Sequence, residues 1–318
     1  MSGRRVAAFA PASVGNVGPG LDILGLAVEG PGDTVAAEWI DSPGLTVLDP
    51  GHPELPREAD RHTSALAARA VLEKIGPASL RGRGIGLSVR KGLPLSGGQG
   101  GSAASAVAGA VAVNALLGAP LDSMALIEAC LVAEEAVAGR HLDNIAPSLL
   151  GGIILIRAIQ PLDLVRLPVP EELHVVLVRP DQRMRTAEAR AVLPREVSRS
   201  VALHQAAHVA AMVAAFALAD YALLGRAVDD RIAEPARAGL LPGFVEAKAA
   251  ALEAGALGSS ISGSGPTVFA LARGRVSAER IGRAMGEAYG ARGQSSEVVV
   301  GRVDRTGARI VEDTGGGR

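Results

Sequence analysis

A glycine-rich run narrows the choice of folds more than any other segment: Gly92-Leu93-Pro94-Leu95-Ser96-Gly97-Gly98-Gln99-Gly100-Gly101-Ser102-Ala103-Ala104-Ser105. It lies between two segments of different periodicity. Residues 84–90 alternate apolar and polar side chains like a half-buried strand, and residues 102–117 read as a helix. Glycines let a backbone approach a ligand closely, and the first turn of the following helix offers unpaired N–H groups to an anion. The Gly-Lys-Ser/Thr ending of a Walker phosphate loop is absent. Gly98-x-Gly100-x-x-Ala103 meets a loose dinucleotide fingerprint, but Pro94 interrupts the strand that such a loop should follow directly. On this segment alone, a structural connection and an anion-binding loop both stay open.

Around that run the pattern mixes strands and helices. Strands are predicted over 4–10, 34–40, 84–90, 151–156, 173–179, 296–303 and 308–311, with two short ones around a glycine turn in 257–272. Helices are predicted over 63–75, 102–117, 122–138 with Asp122 as N-cap, most of 197–238, 242–254 and 277–289. The succession predicts an α+β chain, and Gln160-Pro161 is a plausible boundary between domains 1–160 and 161–318. Aromatic residues are only 2 %, so the core must be built from Ala, Val, Leu and Ile. That scarcity and a formal charge of −1 both argue against nucleic acid as a partner. Cys130 is the single cysteine, which excludes an internal disulfide and suits a buried packing position in a reducing cytosol. The N-terminus is a poor signal peptide because Pro11, Ser13 and Asn16 interrupt its apolar stretch. No stretch is read as approaching the roughly 18 apolar residues of a membrane helix. A soluble cytoplasmic protein is expected.

Two further glycine segments accompany the first. One is Pro11-Ala12-Ser13-Val14-Gly15-Asn16-Val17-Gly18-Pro19-Gly20-Leu21-Asp22, and the other is Ile261-Ser262-Gly263-Ser264-Gly265-Pro266-Thr267. In this order and spacing the three resemble the motifs of the GHMP kinases. The resemblance runs from Pro11 to Thr306-Gly307-Ala308-Arg309. It implies the two-domain GHMP kinase fold: a ribosomal protein S5 domain 2-like N-terminal, ATP-binding domain with a left-handed β-α-β crossover, and a ferredoxin-like C-terminal domain. It also implies ATP against Pro94, Leu95, Ser96, Gly97, Gly98, Gln99, Gly100, Gly101, Ser102, Ala103 and Ala104, with Gly263, Ser264 and Gly265 closing near the phosphates.

Within that superfamily, Glu134-Glu135-Ala136-Val137-Ala138-Gly139-Arg140-His141-Leu142-Asp143-Asn144-Ile145-Ala146-Pro147, running to Gly151-Gly152, looks like the homoserine kinases. Thr186 to Pro194, Ile232 to Arg237, and Leu241 to Phe244 agree. The implied activity is transfer of phosphate from MgATP to the hydroxyl of homoserine, in threonine biosynthesis. Ser102 and Glu134 match the Mg²⁺ ligands; read without the family, they are a helix cap and a solvated helix charge. Arg190 and Arg237 match a clamp on the substrate carboxylate, a task suited to arginine's planar fork. Asn16, Asp22, His141, Asp143 and Asn144 match residues around the amine and hydroxyl, with Thr186 as a further substrate-site candidate. Asp143 and Asn144 are the expected catalytic pair, Asp143 either accepting the hydroxyl proton or orienting the hydroxyl. The resemblance also suggests a homodimer and inhibition by threonine. Mevalonate kinase-like enzymes and a non-catalytic metabolite sensor are the competing readings.

Two departures stand out. The family's usual Gly-Leu-Gly-Ser-Ser is Gly98-Gln99-Gly100-Gly101-Ser102 here, and Asp60-Arg61-His62-Thr63 replaces an Asn-containing segment near the nucleotide. Both bear on ATP affinity. Outside the motifs, His204 and His208 lie four apart on a predicted helix, but no third metal ligand is evident in the sequence.

Overall fold

In the computed structural model, which describes residues 4–80 and 82–315, two sheets and ten α-helices follow the strand-and-helix succession closely. The first unit runs β1 (Arg5–Val14), β2 (Leu24–Ile40), β3 (Gly44–Asp49), α1 (Thr63–Ile75), β4 (Gly84–Arg90), α2 (Gly101–Leu116), α3 (Ser123–Val137), α4 (Ile145–Leu150), β5 (Ile153–Ile159) and β6 (Leu162–Leu167). The second runs β7 (Leu173–Pro180), α5 (Thr186–Ala191), α6 (Arg199–Leu218), α7 (Tyr221–Ala227), α8 (Ala233–Arg237), α9 (Phe244–Glu253), β8 (Gly258–Ile261), β9 (Val268–Arg273), α10 (Arg275–Ala291), β10 (Ser296–Arg302) and β11 (Arg309–Asp313).

The first sheet has the order β11-β1-β2-β4-β3, with β5 joined to β2 and β6 to β5. β2 is long enough to serve two partners besides β1: Thr34 to Ile40 pair with β4, and Leu24 to Leu26 pair with β5. Its register against β1 shifts between Pro11 and Ala12 and then resumes to Val14, after which the first glycine segment leaves the sheet. The parallel pair β3 and β4 is joined through α1, as a β-α-β crossover requires. α2 is apolar on nearly every side and buried between the sheet and its neighbours α1 and α3. Its small side chains, Ala103, Ala104, Ala106, Ala108 and Ala110, let it sit close to β1 and β2, which is how a chain poor in aromatics fills its core.

The second sheet is antiparallel, β10-β7-β9-β8, and α9 and α10 pack on it. Along β7 successive side chains enter different cores. Val176 and Val178 join Ile281, Met285 and Tyr289 beneath α10, whereas Val175 and Leu177 join the core of the first unit. Both units therefore press on one sheet, which fixes the loops that project from their common edge.

The expected boundary after residue 160 falls inside a hairpin, because β6 is the antiparallel partner of β5. The first sheet continues to Leu167 and then regains β11, which pairs with β1. The membrane reading needs correction too. The α6 helix, Arg199–Leu218, is long and apolar enough to cross a membrane by length and composition, though His204, Gln205 and His208 interrupt it. Of the N-terminal stretch weighed as a signal peptide, residues 1–3 lie outside the described residues.

Candidate active site

The three glycine segments meet and hold one another through backbone atoms. Ser13, at the end of β1, donates its N–H to the Gln99 carbonyl at 3.1 Å, and Gly263 donates to the Gly15 carbonyl at 2.9 Å. Asn16 Nδ2 donates to the Gly263 carbonyl at 3.0 Å. From the third segment, Ser262 Oγ donates to the Gly98 carbonyl at 2.6 Å and Thr267 Oγ1 to the Gly97 carbonyl at 2.5 Å. Gly98 cannot be replaced cheaply here: its φ is +75°, and a Cβ would stand 2.7 Å from the Gly265 carbonyl. Gly100 is left-handed as well and turns the chain into α2, whose first residues are Gly101 and Ser102.

Beneath the loop lies a buried cation that the sequence reading did not single out. Lys91 Nζ pairs with the Asp33 carboxylate and reaches Gly101 O at 3.0 Å and Ser105 Oγ at 3.1 Å. Asp33 in turn accepts the N–H groups of Gly92 and Leu93 at 3.0 and 3.1 Å. An Asp inside a mostly apolar strand and a Lys next to the glycine run were the available signals. A cavity of about 880 Å³ opens beside Lys91, lined also by Thr34, Asp49, His52, Arg57 and Arg90. Its volume suits a nucleoside-sized ligand. His62, one of the departures noted above, is buried one layer behind, with Nδ1 2.8 Å from Ser64 Oγ and Nε2 3.3 Å from the Pro50 carbonyl.

On the other side of the loop three carboxyls and two guanidinium groups gather. Asp143 and Asn144 precede α4, and Glu134 lies on the last turn of α3. Asp143 is buried and accepts the Asn16 N–H at 3.0 Å, so closely that a Cβ on Gly15 would stand 2.4 Å from its Oδ2. Burial, together with the negative charge of Asp22, pushes the Asp143 carboxyl up to about 6, against the pull of His141 and Arg190. Burial and the Asp143 charge push Glu134 up to about 7. Asp22 behaves oppositely: burial raises it, but hydrogen bonds from His141 and Arg190 prevail and hold it well below the ordinary range. Arg190 forks onto Asp22 at 2.7 and 3.3 Å, and His141 Nδ1 stands 3.2 Å from the same carboxylate.

Arg237 is fully buried. Its Nε donates to the Ala189 carbonyl at 3.0 Å and its Nη1 to the Gly263 carbonyl at 2.9 Å, while Nη2 has no partner among the described residues. Burial and the nearby Arg190 charge lower its pKa. The two arginines therefore do stand near each other, but Arg190 already holds Asp22, a pairing absent from the sequence reading. Asn144 Oδ1 accepts from Ser13 Oγ at 2.9 Å, which ties it to the first segment. Thr186 is one helical turn before Arg190 on α5 and half-buried; its hydroxyl makes no hydrogen bond among the described residues.

Two buried oxygens in this region have no partner among the described residues: Ser102 Oγ and Glu134 Oε2. A buried polar atom left unpaired is costly, and a pair of hard oxygen donors fits Mg²⁺, which takes few protein ligands beside phosphate and water. A cation there would also favour the ionised form of Glu134 that burial disfavours.

Comparison with known proteins agrees with this geometry. Residues 62–152 match the family model of the GHMP kinases N terminal domain, and residues 212–291 match that of the GHMP kinases C terminal. A homoserine kinase of Arabidopsis thaliana is 42 % identical over 96 % of this chain and 84 % of its own length. One from Chlorobium phaeobacteroides is 41 % identical over 90 % of this chain and 92 % of its own. The crystal structure of homoserine kinase from Cytophaga hutchinsonii superposes with a TM-score of 0.92 at 40 % identity, covering 96 % of this chain and 97 % of that one. With both family models matched and such identity across nearly the whole length, the chain belongs to the homoserine kinases of the GHMP kinase family.

Proposed function

We propose that this protein transfers the γ-phosphoryl group of ATP to the side-chain hydroxyl of L-homoserine, giving O-phospho-L-homoserine and ADP in threonine biosynthesis. One observation carries the reading: acidic and guanidinium groups from both halves of the chain lie side by side next to the interlocked glycine loops. Such a mixed cluster suits a zwitterionic amino acid rather than a neutral sugar.

In this reading the nucleotide phosphates lie on the N–H groups of Gly98, Gly100, Gly101 and Ser102 at the start of α2, with Lys91 below them. The segment from Pro94 to Ala104 forms the bed, and Gly263, Ser264 and Gly265 close over it. Ser102 and Glu134 would hold Mg²⁺, which when bound neutralises charge on the transferring phosphoryl group. Arg237 Nη2 and Arg190 Nε, both buried donors without partners, receive the substrate carboxylate. Asp22, Asn16 and His141 surround the ammonium group, and Thr186 borders the site.

Asp143 receives the hydroxyl. As the substrate oxygen bonds to phosphorus and the bond to ADP breaks, the hydroxyl proton passes to Asp143. A carboxyl that burial and the Asp22 charge make more basic than an ordinary carboxylate is better able to share that proton. Asn144, steadied by Ser13, keeps the peptide in place for this geometry. An ADP-release assay with homoserine, mevalonate and galactose tests the assignment. Turnover with homoserine above the other two is expected; turnover with mevalonate alone overturns it.

A homodimer and a cytoplasmic location complete the proposal. Support for the dimer comes from α6, where Ala206, Val209, Val213 and Ala217 form an apolar groove with Leu21 and Ile23. The occupant proposed is the same groove of a second copy, since isologous contacts pair equal patches. Light scattering should give twice the chain mass of 32.2 kDa, and Val213→Asp should return the monomer. A monomeric parent that floats with lipid vesicles would assign the groove to a membrane instead.

A further inference from the structure

The α6 helix has a second face that the phosphoryl-transfer site does not use. His204 and His208 lie one turn apart with their rings stacked, centroids 3.7 Å apart and planes 26° apart. The third member, Asp229, comes from the loop between α7 and α8, and one ligand atom from each residue falls within 4.8 Å of the others. The sequence hid this partner because it lies beyond the end of α7.

Three details suit metal ligation. His208 Nδ1 is 2.9 Å from the His204 carbonyl, a bond that places the proton on Nδ1 and leaves Nε2 as a lone-pair donor. His204 Nε2 is buried and 3.0 Å from Asp229 Oδ2, yet it makes no hydrogen bond among the described residues. The two atoms are close without pointing at each other, which is the relation of two ligands that share an ion. The loop itself is pinned: Asp230 accepts Gln205 Nε2 at 2.8 Å and the N–H of Glu234 at 2.9 Å, and Gln205 Oε1 accepts the Arg231 N–H at 3.2 Å. Asp229 is thus held beside the histidines by the two residues that follow it. Arg231 Nε, 3.5 Å from Asp229 Oδ2, is the charge that a metal would displace.

We infer that His204, His208 and Asp229 form a binding site for a divalent transition cation of the zinc class, separate from the phosphoryl-transfer site. Two imidazoles and a carboxylate select such a cation over Mg²⁺, which prefers oxygen ligands. Ligand lengths of about 2.0–2.2 Å bring ligand atoms to about 3.3 Å from one another, which small side-chain rotations supply here. Bound metal would staple α6 to the loop that leads into α8, the helix that carries Arg237.

The test uses untagged full-length protein, freed of metal by chelation and kept in Mg²⁺ with saturating homoserine so that His141 and Asp22 are occupied. Titration with Zn²⁺ by calorimetry should show one equivalent bound, and Co²⁺ should give the intense visible bands of a tetrahedral site. His208→Gln and Asp229→Asn, both on solvent-accessible side chains, should each weaken Zn²⁺ by about tenfold or more. Each should also abolish the rise in Tm that Zn²⁺ gives the parent. No saturable binding, or unchanged affinity in both variants, overturns the inference. Should a variant fold poorly, the Co²⁺ spectrum of the parent decides: a weak octahedral spectrum counts against the site.

Discussion

Glu134 is the residue at which stability and function pull in opposite directions. Its carboxyl titrates near 4.5 in an ordinary setting and near 7 in the folded chain, so the folded state keeps the proton longer. The stability that the protonated form contributes is fully present below about pH 4.5 and is lost as pH rises through 7. Without Mg²⁺, Glu134→Gln should therefore gain Tm over the parent as pH is raised from 5 to 8. The same variant should lose turnover, because the proposed metal ligand is gone. A variant with parental Mg²⁺ dependence moves the metal assignment to another carboxylate. Gly101 offers a second test at this scale. Its φ is outside the left-handed region, and a Cβ would sit 3.3 Å from the Pro94 carbonyl and 3.4 Å from Lys91 Nζ. A serine there needs only a small adjustment, and its side chain would lie beside Lys91, which the proposal sets beneath the phosphates. Gly101→Ser should lower the KM for ATP; a folded variant with a raised KM would show that the Pro94 contact cannot relax.

Elements with a strong periodic pattern were legible in the sequence, and those without one were not. Residues 63–75 and 84–90 were read with the bounds they have as α1 and β4, and Asp122 does cap α3 by accepting the Ala125 N–H at 2.9 Å. β3 and β6 escaped because they are edge strands that bury little: Val47 is the one buried residue of β3, and Leu167 of β6. α4 and α5 are six residues each, too short for a helical period, and Pro147 disguises the first. The glycine segments were legible as a set, but their hydrogen-bonded closure was not, since it joins residues as far apart as Gly15 and Gly263. That closure makes a prediction of its own. Gly98→Ala places a methyl against Gly265 in a strained conformation, at a cost of about 1–3 kcal/mol. The loops should separate, raising the KM for both ATP and homoserine while the secondary structure persists in circular dichroism. A change in neither KM would mean that the contact between loops is incidental to the site.

At the scale of the molecule, the site exists because two units share the β7 sheet and bring distant segments together. The motifs named residues that the fold brings together, yet their pairings could not be read from them. Arg190 and Asp22 are 168 positions apart and meet only through the packing of α5 against the first loop. The same packing buries Arg237 with one donor free, and there recognition of homoserine can be tested apart from the chemistry. Truncating one partner of a desolvated charge pair costs roughly 2–5 kcal/mol, or about thirtyfold and more in kcat/KM. Arg237 also holds two backbone carbonyls, so its loss should lower stability by about 1–3 kcal/mol as well.

Arg237→Met is therefore best compared with the parent on homoserine and on homoserinol, which lacks the carboxylate, at saturating MgATP. The parent should use homoserinol poorly, and the variant should lose about thirtyfold or more on homoserine but much less on homoserinol, any rise in the KM for ATP through the lost Gly263 contact being common to both acceptors. Equal losses on both acceptors would contradict the account, and Arg237 would then serve the fold or the phosphates rather than the substrate carboxylate.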